Sequence, residues 1–308
     1  MYAAIVTGAR GQDGSYLCEL LEEKGYHVVK FEGDVRNYNE IYETIKQCIN
    51  FKKLEIYNLA AKIHDNSPPD TFQVNTMGIL NIMESVKNLN LKLMCRIFQA
   101  SSSEIFANTN STWPSPQTVC TMRESRNIYG LSKITADSLV SYYRNTYGLY
   151  VCSGILYNHE SPRRPGIYVT QKIIRGLQSG ECFQIGNLES RRDWGHAKDY
   201  VKAMWMIIQQ SHPQEYIIAT GKTHSVREFI EITAKKMNKK IEWFGEGTDE
   251  IGKIDDEVII RVSKEFYRPD NTTVLVGDTT NLKNLGWTMD YDIYSLIEEM
   301  IHPQQVKL

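Results

Sequence analysis

The sequence predicts an α/β fold, a doubly wound parallel sheet followed by a smaller C-terminal lobe, and three observations carry that prediction. Short apolar runs alternate with stretches of helical period through residues 1–157. The first run ends in a glycine turn, Gly8, Gly11 and Gly14, spaced Gly-x-x-Gly-x-x-Gly. Beyond residue 157 the alternation loosens into polar loops rich in arginine.

Each element follows from its residues. Residues 2–7 are a short apolar strand, and residues 15–24 after the glycine turn are an amphipathic helix. Strand, glycine turn, helix is the order a Rossmann-type dinucleotide site requires, because the glycines let the backbone approach the pyrophosphate at a helix N-terminus. Residues 27–32 read as the second strand, and a very short link leads to a helix over about residues 37–50. Residues 55–60 are a third strand. Its end, near Asn58 to Ala61, lies where doubly wound sheets meet their ligands. Pro68 and Pro69 break the chain before a helix over about 70–89, and residues 93–98 are a buried strand. A polar loop over 108–125 precedes a helix reaching about 145, and residues 150–156 are a further strand.

In the second half, residues 167–177 and 199–210 read as helices around a charged loop (186–194), and 216–219 as a strand. Ser225 and Glu228 are placed as a capping box, and helices near 280–285 and 291–302 close the chain. The division predicted is a dinucleotide-binding lobe over 1–157, to which segments around 190–222 return, and a smaller substrate-binding lobe over 158–308.

Composition narrows the function. The 308 residues carry a net charge of −2, 42% hydrophobic and 23% charged residues, as soluble globular proteins do. With a pI near 6.4, no basic field points to a nucleic-acid partner. No apolar run approaches the length of a membrane span, and the first strand leaves no room for a signal peptide, so a cytoplasmic protein is expected. Six cysteines lack Cys-x-x-Cys spacing and read as reduced thiols. The histidines and carboxylates show no metal-ligand spacing, so no metal is expected.

The chemistry concentrates between residues 100 and 133. Ser102 and Glu104 place a hydroxyl and a carboxylate two residues apart at a strand end. Tyr129 and Lys133, four apart, share one helix face. A phenol is a poor base at neutral pH, but a lysine ammonium one turn away, with a nicotinamide ring nearby, would favour its phenolate. Many helices carry such a pair for no chemical reason, so the rest of the chain must support it. Arg163, Arg164, Arg191, Arg192 and Arg268 fall in three separate loops and, with Lys172, are candidates to clamp a diphosphate.

These residues together resemble the extended short-chain dehydrogenase/reductase (NAD-dependent epimerase/dehydratase) family. The broad resemblance rests on the glycine turn, Asp34 after a strand, residues 58–61 (NLAA), and Tyr129 with Lys133. Longer strings, GQDGSYL at 11–17, NHESPRR at 158–164, RDWGHAKDYV at 192–201, ATG at 219–221, HSVREF at 224–229 and YRP at 267–269, are similar to its GDP-mannose 4,6-dehydratase branch. The resemblance implies a hydro-lyase of nucleotide-sugar metabolism, on the way to GDP-fucose or another deoxyhexose. GDP-mannose would be substrate and GDP-4-keto-6-deoxy-mannose plus water the products. Ser102, Glu104, Tyr129 and Lys133 would be catalytic. Gly8, Arg10, Gly11, Gln12, Asp13, Gly14, Asp34, Val35, Leu59, Ala60, Ala61, His159 and Arg164, with Tyr129 and Lys133, would bind the cofactor. Asn158, Lys172, Arg192 and Arg268, with Ser102, would hold the GDP-sugar. A 4-ketoreductase, or a dehydratase of another GDP-hexose or heptose, stays open.

Three departures from the family pattern matter. Ser102 stands where threonine is usual, which keeps the hydroxyl and loses the methyl that stiffens χ1. Phe106 replaces a usual tyrosine. A stretch after the second strand, which in the family carries an arginine pair for the NADP 2′-phosphate and a loop used in tetramer assembly, is missing. Resemblance implies NADP; Glu32 favours NAD, while Arg10, Lys30 and Arg36 offset it. The shorter loop implies a homo-oligomer smaller than a tetramer, with a dimer favoured.

Overall fold

The computed structural model describes residues 1–63, 67–107, 116–267 and 274–303. The first half runs β1 (Tyr2–Thr7), α1 (Gln12–Glu23), β2 (His27–Phe31), α2 (Tyr38–Lys46), β3 (Lys53–Asn58), α3 (Pro68–Asn88), β4 (Cys95–Ser102), α4 (Ile128–Tyr147) and β5 (Tyr150–Leu156). A single 3-10 turn (Ser103–Phe106) follows β4. The second half runs β6 (His159–Glu160), α5 (Val169–Ser179), β7 (Phe183–Ile185), β8 (Arg191–Arg192), β9 (Gly195–His196), α6 (Ala197–Ile208), β10 (Glu215–Ile218), β11 (His224–Ser225) and α7 (Val226–Lys236). It ends with β12 (Glu242–Phe244), β13 (Ile251–Ile254), β14 (Glu257–Val262), α8 (Thr280–Lys283) and α9 (Ile293–Ile301).

Six parallel strands form the large sheet in the order β10-β5-β4-β3-β1-β2. Side chains alternate across it. Ala4 and Val6 of β1 face Leu17 and Leu21 of α1 and Val201, Met204 and Ile208 of α6. Ala3 and Ile5 face Ile41 and Ile45 of α2, Ile79, Ile82 and Val86 of α3, and Val140 of α4. Both faces are covered, which is why these strands read as apolar runs. The chain order reverses between β1 and β3, so a crevice opens at their carboxyl ends. β10 and α6 complete this sheet from the second half of the sequence.

The short link after β2 leaves β2 as the edge strand. Residues 32–37 lead directly into α2, which Asn37 caps by accepting from Asn39 N (3.1 Å). Some boundaries differ from the sequence reading. Pro68 and Pro69 occupy the first turn of α3, where a missing N–H costs nothing, rather than preceding it. β4 begins at Cys95, because Leu93 is 96% exposed in a turn.

A four-stranded sheet, β12-β13-β14-β7, was not foreseen. Its strands are short and buried on one face only, and the β13–β14 turn uses Asp255 and Asp256 at φ 49° and 67°, a weaker signal than Asn-Gly. It packs with α5, α7 and α9 through Ile173, Leu177, Phe229, Ile260, Leu296 and Ile297. The six cysteines are all unpaired, and Cys120 and Cys182 are exposed. Among the described residues no helix is long and apolar enough to cross a membrane. Nor are three His, Cys, Asp or Glu side chains grouped to hold a metal.

Candidate active site

The glycine turn is built for close approach. Gly8 sits at φ +68°, and a Cβ there would come within 2.8 Å of Ala60 N. A Cβ on Gly14 would come within 2.2 Å of Gly8 O, so α1 can start at Gln12 only because residue 14 has no side chain. Gly11 caps α1 without a side-chain hydrogen bond, leaving the first N–H groups of the helix for an anion. The turn therefore fits a dinucleotide pyrophosphate.

Beside it, Thr7 Oγ1 accepts from Leu59 N and Ala60 N (3.1 Å each) and donates to Asn58 Oδ1 (2.8 Å). Asn58 Nδ2 donates to Gln99 Oε1 (2.7 Å), and Gln99 Nε2 to Ala100 O (2.9 Å). Lys133 Nζ donates to the same carbonyl at 2.8 Å. This buried row runs from the glycine turn to the lysine and fixes both ends.

α4 carries Tyr129 in its first turn and Lys133 one turn on, with Lys133 Nζ 5.6 Å from the Tyr129 ring centroid. Burial pushes the lysine down to about 8, against the pull of Asp137. Burial also pushes the Tyr129 phenol up, opposed by its hydrogen bond with Ser102 and by the Arg164 charge. Enclosure by itself thus works against the phenolate, and the positive charge Tyr129 needs has to be brought to it.

Ser102 ends β4, and its Oγ accepts from Glu104 N (3.3 Å), capping the 3-10 turn that holds Glu104. Asn127 Nδ2 donates to Glu104 Oε2 at 3.0 Å. Ser102, Glu104, Asn127, Tyr129 and Lys133 line one cleft of about 510 Å³, whose other wall includes Asp13, Leu59, Ala61, Asn158, His159, Arg164 and Tyr168.

His159 is locked in place. Its Nδ1–H donates to Tyr157 O (2.6 Å), Nε2 faces Asp13 Oδ2 (2.8 Å), and the ring stacks on Tyr200 at 4.5 Å. Burial opposes its charge, but the Asp13 carboxylate outweighs that and raises its pKa, while Asp13 is lowered despite its own burial. Gln12 joins the same lock, donating to His159 O (3.1 Å) and accepting from Ser161 Oγ (2.8 Å). Arg164 pairs with buried Glu160 (3.1 Å) and lies 3.6 Å from the Tyr168 ring centroid.

A second cavity, of about 350 Å³, shares Asn158 and Tyr168 with the first and brings Lys172 and Arg192 together. Trp194, Ile185 and Phe266 give it apolar walls. Lys172 Nζ sits 4.5 Å from the Phe266 ring centroid. Arg192 Nη1 donates to Arg191 O (2.7 Å). Arg191 itself pairs with Glu228 (3.0 Å), and Arg163 braces α1 through Ser15 (2.9 Å) and Glu19 (2.7 Å), so these two arginines do structural duty. Arg268 lies outside the described residues, as do residues 108–115 of the polar loop.

At the end of β2, Arg10 binds Glu32 through Nε (3.1 Å) and Nη2 (2.5 Å), both side chains being exposed. Asp34 is gripped by Arg36 through its backbone N (2.9 Å) and side chain, which lowers its pKa. Val35 is buried beneath Gly78 of α3. Sequence reasoning missed Asn127, Tyr168 and Phe266. Asn127, two residues before Tyr129, had a signal as a helix N-cap; the other two meet the site only through tertiary folding.

A doubly wound dinucleotide fold, with a hydroxyl, tyrosine and lysine at its crevice and a carboxylate beside the hydroxyl, defines the class: a short-chain dehydrogenase/reductase-type protein of the extended, two-lobed kind. A family model described as GDP-mannose 4,6 dehydratase matches residues 29–300, and the chain belongs to that family. It is 36% identical to the GDP-mannose 4,6-dehydratase of Yersinia enterocolitica, over 98% of this chain and 93% of that one. It is 37% identical to the human GDP-mannose 4,6 dehydratase, over 97% and 90%. Among solved structures, the dTDP-glucose 4,6-dehydratase of Bacillus anthracis in complex with NAD superposes with a TM-score of 0.80 at 18% identity, covering 98% of this chain and 96% of that one. RMD from Pseudomonas aeruginosa complexed with NADPH superposes with a TM-score of 0.80, also at 18% identity, covering 98% of each chain.

Proposed function

We propose that this chain converts GDP-mannose to GDP-4-keto-6-deoxy-mannose and water by internal redox. One observation carries the reading: Ser102, Glu104, Tyr129 and Lys133 line a single cleft that shares Asn158 and Tyr168 as lining with the cavity of Lys172 and Arg192. A sugar in the first space and a nucleoside diphosphate in the second fit that layout. The names of the relatives support the same substrate.

A nicotinamide cofactor, held by the glycine turn and the ends of β1 and β3, supplies reversible hydride acceptance when bound. Tyr129 takes the C4 hydroxyl proton, with Lys133 and Ser102 orienting the phenol. The resulting 4-keto group acidifies C5–H, and Glu104 removes that proton and passes it to the departing C6 oxygen, which is ordinary general acid–base work. Lys172 and Arg192, with Arg268, hold the diphosphate; Arg192 is suited to a bidentate grip. The sugar gains no net electrons, so no external reductant is consumed. We take residues 1–157, with the later segments that complete the sheet, as the cofactor part and the remainder as the sugar-nucleotide part of a cytoplasmic homo-oligomer.

NADP is the cofactor the family implies. The Arg10–Glu32 pair favours NAD as the second reading, because a carboxylate at the end of β2 accepts from a free ribose 2′-hydroxyl and repels a 2′-phosphate. The test is incubation of purified protein with GDP-mannose and no added reductant, following sugar-nucleotide mass and nicotinamide absorbance together. Loss of one water with no net absorbance change is expected. Unchanged mass with GDP-mannose bound would move the reading to a ketoreductase or to another GDP-sugar.

A further inference from the structure

We infer that Asn127 is a positioning residue for the elimination step, holding one oxygen of Glu104 so that the other alone carries the proton. The inference rests on the dehydratase reading above. Asn127 is the N-cap of α4, at φ −105° and ψ 151°, and its Oδ1 accepts from Gly130 N at 2.7 Å. With that oxygen engaged, the amide has one orientation, and its Nδ2 donates to Glu104 Oε2 at 3.0 Å. The same cap that starts the tyrosine helix therefore grips the carboxylate across the cleft mouth.

The backbone around this contact is equally constrained. A Cβ on Gly130 would come within 2.7 Å of Glu104 O and 2.1 Å of Ser125 Oγ, so the first turn of α4 rests directly on the glutamate's main chain. Glu124 N donates to Ile105 O at 2.7 Å, tying the segment before the helix to the 3-10 turn. On its other side Glu104 N is held by Ser102 Oγ. Glu104 lines the cleft, and among the described residues Asn127, on Oε2, is the only side chain hydrogen-bonded to its carboxylate.

This arrangement suits a carboxylate that must take and return one proton. In the elimination, the C5–H bond breaks and its electron pair forms the C5=C6 bond as the C6–O bond breaks. The proton passes through Glu104 Oε1 to the departing oxygen, which leaves as water, and Glu104 ends as the carboxylate it began. An amide donor on Oε2 keeps that oxygen out of the proton path and lets the same oxygen collect and deliver without the carboxyl group turning over. Removal of the C4 hydrogen does not involve Glu104, so Asn127 acts on the second half of the reaction and not on the first.

The decisive variant is Asn127→Ser, because serine is a good N-cap but lacks an amide to reach Glu104. Asn127→Ala removes both contacts. In single turnovers with GDP-mannose, reduced-nicotinamide absorbance reports C4 oxidation, and mass reports loss of water. For Asn127→Ser we expect unchanged melting temperature, unchanged KM, kcat lower by about tenfold, and reduced cofactor accumulating before water is lost. Asn127→Ala should repeat the kinetic defect with a lower melting temperature. Wild-type rates in Asn127→Ser, or equal slowing of oxidation and elimination, would overturn the assignment. A wild-type protein that loses no water from GDP-mannose would remove the dehydratase reading itself, and this inference with it.

Discussion

The two ends of the cleft are built in different ways. The catalytic end comes from one continuous stretch: β4 delivers Ser102, the turn after it Glu104, and the next helix Asn127, Tyr129 and Lys133. Their spacing is set by strand, turn and helix geometry; Ser102 and Lys133 are buried, Glu104 and Tyr129 half-buried, and Asn127 exposed. The nucleotide end draws Asn158, Lys172 and Arg192 from a strand-end loop, α5 and β8, with solvent at hand. Lys133 at the first end is buried and costly to keep charged; Lys172 and Arg192 at the second are half-buried and line the cavity together. Chemistry belongs at the enclosed end, and grip at the open one.

Breaking the enclosed end should give the largest effect. Glu104→Gln keeps the shape but cannot accept a proton, so turnover should fall on the order of 10²–10⁴ while GDP-sugar and cofactor binding persist. Near-normal turnover, measured alongside calorimetric binding, would take Glu104 out of the chemistry.

The same enclosure makes a prediction about stability. Lys133 titrates near 8 in the fold against 10.5 when free, so its cost is fully present below about pH 8 and is relieved as pH rises towards 10.5. Lys133→Met should therefore stabilise the protein at pH 7 by about 3 kcal/mol, and that gain should fade at alkaline pH. Urea melts of both proteins at pH 7 and pH 10 check the sign. A destabilised variant at pH 7 would mean that the Ala100 hydrogen bond outweighs burial.

At the open end the expected effect is on affinity. Arg192→Ala should weaken GDP-sugar binding by roughly 1.5–3 kcal/mol with little change in kcat. Affinity equal to wild type would remove Arg192 from the diphosphate site. The smallest effect belongs to the most exposed pair: Glu32→Gln should shift the ratio of NAD to NADP dissociation constants towards NADP by a few-fold, since Arg10 would be released to face a 2′-phosphate. A ratio that does not move would place the cofactor's ribose elsewhere.

The contrast also explains what was legible in the chain. The glycine turn and the Tyr129–Lys133 pair are local, so spacing marked both, although the pair needed the rest of the chain to support it. The Asn127 grip on Glu104 joins residues from two elements, and an asparagine before a helix reads first as a cap, with nothing in spacing to say where its amide points. Tyr168 and Phe266 enter the site only because residues of α5, β7 and β8 meet at one cavity, which no local period encodes. The four-stranded sheet escaped because its strands run from three to six residues and turn on Asp255 and Asp256 instead of a strong hairpin pair. The short link after β2 was visible, yet its consequence, a sheet edge at β2 where Glu32 and Arg10 meet, needed the strand order.

Internal redox requires that hydrogen leave C4 and return to the same sugar at C6. GDP-mannose deuterated at C4 tests it directly, with the product's C6 examined by mass spectrometry and NMR in unlabelled water. Deuterium recovered at C6, with one solvent hydrogen at C5, is the predicted result. Deuterium retained at C4, or lost to the medium with a reductant consumed, would contradict internal redox and with it the roles given to Glu104 and Tyr129.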